Sequence, residues 1–388
     1  MNLVFLTNLL NPYRMNFFEL IEKQAKERDI SLHVIAMTGE KPDRPTWHYK
    51  ELKKDYTILL KDKTILVRGI YLHFNKDIVN TLKALKPDVV VCSGSFLQPS
   101  VVQTLRNKKK LGYKVYLWSE SHLNEMRSYG KLLLKVRETM RRSILSRFDG
   151  FLFAGAYSKA YVEKYKNGDA DLYLLHNTVD DRFFYTTANE LRSKREMLRE
   201  KYGFSSDQFV FFSPVRLSRE KGLGKFWEIS AYIEPQMKSK ITFAVAGTGR
   251  EQDNWLQIAD QAGFHVKFLG MKNQLEVVEL YVASDCFLLP STSDPNPLSV
   301  IEASWTGLPL LVSKNVGNWP EIVQQGKNGF AFDYNHPDEI EGMIRTLITA
   351  DENWKHNASL TSLSIVRSEY QADLIAQGLV KHFVELYG

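Results

Sequence analysis

Cysteine is scarce in this chain, which has only two among 388 residues. Cys92 and Cys286 each lie in an apolar run typical of a buried strand, so they do not suggest a disulfide framework, and no Cys/His spacing typical of a metal site accompanies them. Two buried free thiols indicate a reducing compartment, and we therefore expect a cytoplasmic protein.

Long hydrophobic runs are also lacking, because no apolar segment approaches the roughly 20 residues needed to cross a bilayer. The opening segment, MNLVFLTNLL, has no basic leader and is too short for a secretory core, so residues 3–6 are interpreted as a first strand. We expect a protein that is soluble or peripheral on the inner face of the cell membrane.

Acidic residues are under-represented in the first half. Residues 1–183 contain 31 Lys and Arg against 20 Asp and Glu, whereas the remainder contains 20 against 25. Part of the basic excess lies in a predicted helix whose stripe includes Val136, Met140 and Leu145. Such a helix suits an anionic membrane surface, but a packed helix with a solvated basic back fits equally well. Nucleic acid is a weaker interpretation, because no aromatic platform, helix-turn-helix or zinc finger accompanies the charge.

Short β-rich runs alternate with helical patterns along the chain, which predicts an α/β protein with parallel sheets covered on both faces. The predicted strands are residues 3–6, 32–36, 89–92, 114–118, 150–153 and 172–175, then 210–213, 242–246, 266–269, 286–289, 310–312 and 329–332. A chain of 388 residues exceeds the size of one core, so we expect two doubly wound, Rossmann-like domains facing each other across a cleft. Their predicted extents are 1–184 and 185–370, with a hinge near residues 184–189.

The most informative segment is SDPNPLSVIEASWTGLP, residues 293–309. Asp294 lies in its Pro-rich loop after a predicted strand, and Glu302 lies in a helix predicted to begin near Pro297. Open α/β sheets bind ligands at the carboxyl ends of strands, and a helix N-terminus there favours an anion. Asp294 is compatible with a simple helix cap, but Glu302 stands among apolar residues and should have a buried partner. The pair suits a sugar joined to a phosphate.

Two further loops follow predicted strands of the second half. PVRLSREKG, residues 214–222, supplies Arg216 and Lys221, whose cationic side chains suit phosphate oxygens, although alone it is also compatible with a solvated turn. VAGTGRE, residues 245–251, has Gly247 in a Gly-x-Gly turn without the third glycine of a dinucleotide fingerprint. It indicates either a tight turn beside a nucleotide or a simple connection.

In the first half, His122 follows the strand predicted at residues 114–118 and is expected to face the cleft. A lone histidine is more often structural, and Glu120 is a rival for the same role. HNTVDDRFF, residues 176–184, carries turn residues before the predicted boundary and is interpreted as mainly architectural.

Taken together, PVRLSREKG, VAGTGRE, HNTVDDRFF and the run of residues 281–330 resemble the GT-B glycosyltransferases of family 4, the retaining group that uses nucleotide-sugar donors. The likeness is strong over residues 176–335 and looser before them. It implies GT-B architecture with an acceptor-binding first domain, a nucleotide-sugar-binding second domain, and a final helix, residues 371–388, that packs back on the first. It also implies that no metal and no cofactor is needed beyond the nucleotide-diphosphate sugar itself.

The resemblance further implies a role for each matching position. Arg216 and Lys221 would bind the donor diphosphate, Asp294 the hydroxyls of the donor sugar, and His122 the same sugar. The other expected donor contacts are Glu302 with the ribose, the backbone of Leu298 and Ser299 near the sugar, Gly247 beside the nucleotide, and Gly270 and Met271 near the base.

Three positions depart from the family pattern. Asp294 stands where the family usually has Glu, which shortens its reach by one methylene. Pro295 and Pro297 replace residues that are often glycines, and proline has no N–H group to donate to a sugar. The loop TNLLNPYR, residues 7–14, lacks the usual Gly-Gly pair, which affects how closely its backbone can approach the phosphates.

The expected function is therefore a retaining, metal-independent sugar transfer to a saccharide or lipid-linked saccharide, in cell-surface polysaccharide or glycolipid synthesis. Three alternatives remain open. The chain is also compatible with a nucleotide-sugar epimerase, with a glycoside phosphorylase, and with a non-catalytic subunit that pairs with an active transferase.

Overall fold

The structure, a computed structural model, describes residues 1–40, 49–67, 70–123 and 131–388. Contacts between backbone positions divide the described chain into two compact units. The first unit comprises the described residues up to Val179 together with Ala372–Gly388, and the second comprises Asp180–Gln371. The boundary thus falls just before a helix that includes residues 184–189, where a hinge was predicted.

The first unit is built on a parallel sheet with an antiparallel hairpin beside it. Its strands are β1 (Asn2–Thr7), β2 (Ser31–Ala36), β3 (Thr57–Leu59), β4 (Lys63–Val67), β5 (Ile70–Phe74), β6 (Val89–Ser93), β7 (Lys114–Ser119), β8 (Gly150–Phe153) and β9 (Asp171–Leu174). The sheet order is β3-β2-β1-β6-β7-β8-β9, and β4 pairs with β5 alone. The helices between them are α1 (Pro12–Lys26), α2 (Tyr49–Leu52), α3 (Ile78–Leu85), α4 (Pro99–Leu111), α5 (Lys131–Leu145) and α6 (Ala156–Tyr165).

The second unit contains a second parallel sheet. Its strands are β10 (Phe209–Pro214), β11 (Ile241–Ala246), β12 (His265–Gly270), β13 (Cys286–Leu289), β14 (Leu310–Ser313) and β15 (Gly329–Phe332). Its helices are α7 (Asp181–Leu191), α8 (Arg195–Lys201), α9 (Leu223–Ile229), α10 (Pro235–Lys238), α11 (Gln252–Ala262), α12 (Gln274–Ala283), α13 (Leu298–Trp305), α14 (Trp319–Ile322), α15 (Asp338–Thr349) and α16 (Glu352–Glu369). The last helix, α17 (Ala372–Tyr387), belongs to the first unit.

The sheet order of the second unit is β12-β11-β10-β13-β14-β15. The chain therefore moves outward from β10 in one direction and then starts again from β13 in the other. Such a reversal opens a crevice at the carboxyl ends of the two central strands, which is where doubly wound sheets bind ligands. The loops that follow β10 and β13 are the ones that carry Lys221 and Asp294.

The first helix illustrates how the sequence specifies an element. Asn11 caps α1, because its side-chain oxygen accepts the backbone N–H of Arg14 at 2.8 Å, and Pro12 occupies the first turn. Phe17 and Ile21 are buried on the helix face that packs on the sheet. The start and the buried face of this helix therefore both follow from local sequence.

The last helix packs on the same face of the first sheet as α1. Ala376, Leu379 and Phe383 of α17 join the core cluster that contains α1 and β1, and the Phe383 ring lies 5.1 Å from that of Tyr116. Polar groups fix its end as well. The hydroxyls of Tyr116 and Tyr387 are 2.7 Å apart, and His382 Nε2 lies 2.7 Å from Asp171 Oδ2.

This anchoring of α17 predicts a pH-dependent stability. Burial alone would raise the pKa of Asp171, but His382 and Tyr116 stabilise the carboxylate and lower the pKa overall. A lowered pKa in the folded state means that Asp171 contributes stability above the pKa of the unfolded chain and loses it in acid. We expect Asp171→Asn to lower the unfolding midpoint at pH 7 and to do so less as the pH falls below about 4. Denaturant titrations of both proteins across this range measure the difference, and a constant gap would contradict the pairing.

The structure of α5 differs from one of the two interpretations of its sequence, the packed helix with a solvated basic back. Leu145 is buried, as its place on the apolar stripe predicted, but Val136 and Met140 are exposed beside Lys135 and Arg142. The outward face of α5 is therefore mixed, both apolar and basic, rather than a purely solvated basic back. No described helix is long and apolar enough to span a membrane.

Candidate functional site

The loop after β10 is held by the turn after β11. Val215 N–H donates to the Ala246 carbonyl at 2.9 Å, and Leu217 N–H donates to that of Thr248 at 3.0 Å. These contacts need glycine, since a Cβ on Gly247 would lie 2.0 Å from the Val215 carbonyl oxygen. The Gly-x-Gly turn therefore supports the shape of the loop that carries Arg216 and Lys221.

The same loop is joined to the loop after β13. Thr292 N–H donates to the Glu220 carbonyl at 2.8 Å, and the Tyr334 hydroxyl donates to the Pro290 carbonyl. Gly222 makes this approach possible, because a Cβ there would lie 2.0 Å from the Pro290 oxygen, and its φ of +72° suits glycine. The two loops at the switch point therefore form one packed layer.

Lys221 and Asp294 meet where these loops join. Lys221 Nζ donates to Asp294 Oδ2 at 2.5 Å, and both side chains are largely buried. The Ser291 hydroxyl lies 3.4 Å from the same carboxylate oxygen. A largely buried charge needs such a partner, and the pair brings a cation and a carboxylate to one point of the crevice.

The backbone of Asp294 is fixed by the segment after β14. Its N–H donates to the Asn315 carbonyl at 3.3 Å, and its carbonyl accepts the Gly317 N–H at 2.8 Å. Gly317 lies so close that a Cβ on it would be 1.6 Å from the Pro295 carbonyl oxygen. Three loops, after β10, β13 and β14, thus determine where the Asp294 carboxylate lies.

The N-terminus of α13 begins directly after this loop. Pro297 is its N-cap residue and makes no side-chain capping bond, and Asn318 holds the Pro297 carbonyl through its Nδ2 at 3.0 Å. Asp294 does not cap the helix, which was its alternative interpretation. The first amides of α13, at Leu298 and Ser299, have no partner within the helix by geometry, and the dipole favours an anion near them.

Glu302 is buried on α13, so the expectation of a buried partner is confirmed. The Tyr281 hydroxyl lies 3.1 Å from Glu302 Oε2 and 3.2 Å from the Ser299 carbonyl oxygen. Tyr281 lies on α12, and its ring packs against Phe212 of β10 at 5.1 Å. Tyr281 was not predicted as a site residue, because its only signal in the sequence is a helical spacing typical of a core residue.

Arg216 is half-exposed and lies within 3.7 Å of Glu220 on the same loop. Burial raises the pKa of Glu220, but hydrogen bonds from Ser218 and its own backbone, with the charges of Arg216 and Lys221, outweigh burial and lower the pKa. Arg216 and Lys221 therefore both lie close enough to Glu220 to stabilise its carboxylate. Tyr334, also missed from the sequence, supports this loop, and burial raises its pKa far above the usual value.

Two other predicted donor contacts lie side by side. Gly247 N–H donates to the Gly270 carbonyl at 2.7 Å, so the turns after β11 and β12 are in contact. Gly270 has a φ of +70° with open space around its Cα, and Met271 beside it is strongly exposed. An open glycine next to an exposed apolar side chain gives a planar ring a surface on which to rest.

His122 belongs to the first unit, where its ring is buried and lies 6.4 Å from that of Tyr157. Glu120, its rival, accepts from Arg14 Nη2 at 3.2 Å, and the Arg14 guanidinium lies 4.6 Å from the Trp118 ring centroid. Arg14 is the last residue of the segment TNLLNPYR, which lacks the Gly-Gly pair, and lies in the first turn of α1. The role of His122 stays a prediction.

A cavity of about 380 Å³ in the second unit lies elsewhere. Its walls include Asp285, which precedes β13, and Pro309, which precedes β14, so it opens at the amino ends of these strands. None of the predicted donor contacts lines it, and doubly wound sheets bind ligands at the other edge. Among the described residues, no group of three His, Cys, Asp or Glu side chains is arranged to hold a metal ion.

Comparison with solved structures identifies the fold. The crystal structure of HepE from Anabaena in complex with UDP and glucose superposes with a TM-score of 0.71 at 17% identity, covering 99% of this chain and 100% of HepE. At that identity the likeness concerns the fold alone, which is the GT-B architecture of two Rossmann-like halves predicted from the sequence.

Comparison of sequences gives the family. The model of glycosyl transferases group 1 matches residues 194–361. The alpha-monoglucosyldiacylglycerol synthase of Acholeplasma laidlawii is 22% identical over 290 residues, which cover 72% of this chain and 70% of that protein. An Escherichia coli UDP-Gal:alpha-D-GlcNAc-diphosphoundecaprenol alpha-1,3-galactosyltransferase is 30% identical over 185 residues, but these span only 46% of this chain and 45% of the enzyme. The chain is a glycosyltransferase of the GT-B class, and its second unit matches the model of glycosyl transferases group 1.

Proposed function

We propose that this glycosyltransferase transfers a sugar from a nucleoside-diphosphate donor to a saccharide or lipid-linked saccharide, with retention at the anomeric carbon and without a metal ion. The observation that carries the proposal is the contact between Lys221 and Asp294 at the switch point of the second sheet. A cation suited to a pyrophosphate and a carboxylate suited to sugar hydroxyls meet there, in front of the α13 N-terminus.

The reaction follows from the charges at this point. As the bond between the anomeric carbon and the diphosphate oxygen breaks, negative charge grows on the leaving group. Lys221, Arg216 and the α13 amides stabilise that charge, which is the largest catalytic contribution we assign. The acceptor hydroxyl attacks from the leaving-group face and its proton passes to the departing phosphate oxygen, so no protein base is required.

Calorimetric titration with a panel of nucleotide sugars tests the donor, and UDP sugars come first because HepE was solved with UDP and the Escherichia coli relative is named for UDP-Gal. We expect one member to bind and to be consumed only with acceptor. Conversion without acceptor would indicate an epimerase, dependence on phosphate a phosphorylase, and no heat with any donor a non-catalytic subunit. Turnover that is unchanged by a chelator would support transfer without a metal ion. A product with the donor's anomeric configuration would support retention.

Glu302 offers a specific test of donor binding. We assign its carboxylate to the ribose hydroxyls, with Tyr281 holding it in place. Glu302→Gln keeps the volume and removes the charge, so donor affinity should fall by about tenfold because a charge-assisted hydrogen bond is replaced by a neutral one. Titration of the donor measures this, with exposed Glu339→Gln on α15 as the control. Unchanged affinity would exclude the assignment.

The acceptor side involves the first unit and a membrane surface. The names of the two relatives include diacylglycerol and diphosphoundecaprenol, which supports a lipid-linked acceptor here. The basic excess of residues 1–183 and the mixed outward face of α5 support recruitment to anionic lipid on the cytoplasmic side. We expect vesicles that contain phosphatidylglycerol to sediment the protein at low salt, and less of it as salt rises. A failure to sediment at low salt would contradict recruitment.

A further inference from the structure

The hairpin formed by β4 and β5 interrupts the ordinary strand-to-helix connection between β3 and α3. It begins after the carboxyl end of β3 and returns to Asp77, the residue before α3. Its two strands pair only with each other. A lone two-stranded hairpin is marginal in water, so its persistence needs an anchor.

The anchor is a polar network beneath one face of the hairpin. His73 N–H donates to Gln98 Oε1 at 2.9 Å, and Gln98 Nε2 donates to the Tyr71 carbonyl at 2.8 Å. Asn75 Nδ2 donates to the carbonyls of Met37 at 2.7 Å and Lys61 at 3.0 Å. These bonds fix β5 and the base of the hairpin to the first unit.

The other face carries apolar side chains into solvent. Ile65 is 43% exposed and Val67 is 44% exposed, and they share one face of β4 with the exposed Lys63, because side chains two positions apart on a strand point the same way. Phe74 of β5, also exposed, pairs with Lys63 across the hairpin. Leu66 points to the opposite face of β4 and is also exposed, at 58%. An apolar face on an anchored element is costly in water and marks an interaction surface.

Charge identifies the partner. Lys61, Lys63 and Lys76 flank the base of the hairpin and are exposed. Of the two acidic residues there, Asp62 is directed inward to Thr64 and His73, and Asp77 accepts the backbone N–H of Lys61 at 3.0 Å. Apolar side chains at the tip with cations behind them match the arrangement of a bilayer, in which acyl chains lie beneath anionic headgroups.

We propose that the β4–β5 hairpin inserts its exposed aliphatic side chains into the interface of an anionic bilayer, while the lysines at its base bind the lipid phosphates. The inference rests on the membrane recruitment in the proposed function and identifies the element responsible. Because the hairpin follows the carboxyl end of β3, it holds the ligand-binding edge of the first sheet toward the lipid.

A fluorescent label tests insertion directly. Cys92 and Cys286 are fully buried, so Leu66→Cys provides one accessible thiol for an environment-sensitive dye. We expect a blue shift with mixed phosphatidylcholine and phosphatidylglycerol vesicles and little shift with phosphatidylcholine alone. Leu360→Cys, at a site of 52% exposure in the second unit, should show none. If the protein sediments with vesicles but the dye shows no shift, the proposal is overturned. It is also overturned if a shift appears without vesicles and grows with protein concentration, because that would show pairing between two copies along β4.

A matched substitution tests the contribution to binding. Ile65→Thr with Val67→Thr keeps β-branching and strand propensity while removing apolar surface, and should weaken vesicle partitioning on the order of tenfold. The control, Leu256→Gln with Leu360→Gln, changes residues that are 44% and 52% exposed and should partition normally. Equal partitioning of the two double variants would overturn the proposal.

Donor titration separates this inference from the proposed function. The hairpin variant should bind the nucleotide sugar as the unmodified protein does and show the same thermal midpoint. If vesicles bind through the hairpin but no donor is bound, the proposed transfer fails while the hairpin assignment stands. If the donor is bound and consumed but the labelled hairpin stays in water, only the hairpin assignment fails.

Discussion

Replacing Lys221 with alanine is expected to lower turnover by about 10² to 10³, the effect of removing one group that stabilises charge on a leaving oxygen. Arg216→Ala should act in the same direction and by a similar factor. Lys221 is held by Asp294 at 2.5 Å, so its ammonium group is already in position when the donor arrives. Single-turnover kinetics with saturating donor measure the chemical step.

Arg219→Ala is the matched control for this experiment. Arg219 lies on the same loop between the two cations, but it is 84% exposed and its nearest carboxylate is Glu251 at 3.2 Å. Its loss removes one positive charge from the loop without removing a group of the site. If Arg219→Ala and Lys221→Ala reduce turnover equally, the loop acts through its total charge, and the assignment of Lys221 is wrong.

Gly317→Ala is expected to lower turnover by about 10², although residue 317 carries no reactive group. A Cβ there would lie 1.6 Å from the Pro295 carbonyl oxygen, so the loop that bears Asp294 must move. A displacement of about 1 Å in a positioning group can cost a factor of this size. Steady-state kinetics should show the loss in kcat and in donor KM, because the adjoining start of α13 moves with the loop.

Gly342→Ala provides the comparison for that variant. Gly342 lies in α15 with no atom within 4 Å of an added Cβ, and alanine is the better helix former. This variant should keep full activity and be equally or more stable. Retained activity in Gly317→Ala would mean that the position of Asp294 does not matter for transfer.

The main sheets were predictable because their strands are buried on both faces. Such strands are nearly continuous apolar runs, and the twelve that the sequence predicted are all present. The strand β3 was missed because it is only three residues long, and the hairpin because its exposed apolar residues resemble core residues in a sequence. The same ambiguity affected Val136 and Met140, because periodicity placed them on an apolar stripe that suited a membrane and a packed core equally well, and the structure places them in solvent.

The sequence indicated that charged residues of the candidate site need partners, but it did not identify those partners. A carboxylate within an apolar helix indicated that Glu302 needs a partner, whereas nothing in the sequence identified Tyr281, twenty-one positions away, as that partner. Asp294 before a proline-started helix resembled a cap, because capping is a local pattern. Its actual partner is Lys221, 73 positions earlier in the chain, and only the strand order brings them together.

The pairing of Lys221 with Asp294 has a consequence for selectivity on the proposed assignment. Before the donor binds, each group neutralises the other. A phosphate that binds the Lys221 ammonium therefore leaves the Asp294 carboxylate without its hydrogen-bond partner. An intact sugar nucleotide supplies one through its hydroxyls, whereas the spent nucleotide does not. The exchange of partners therefore favours loading of the substrate over retention of the product, and product inhibition should be weaker than the shared diphosphate alone would suggest.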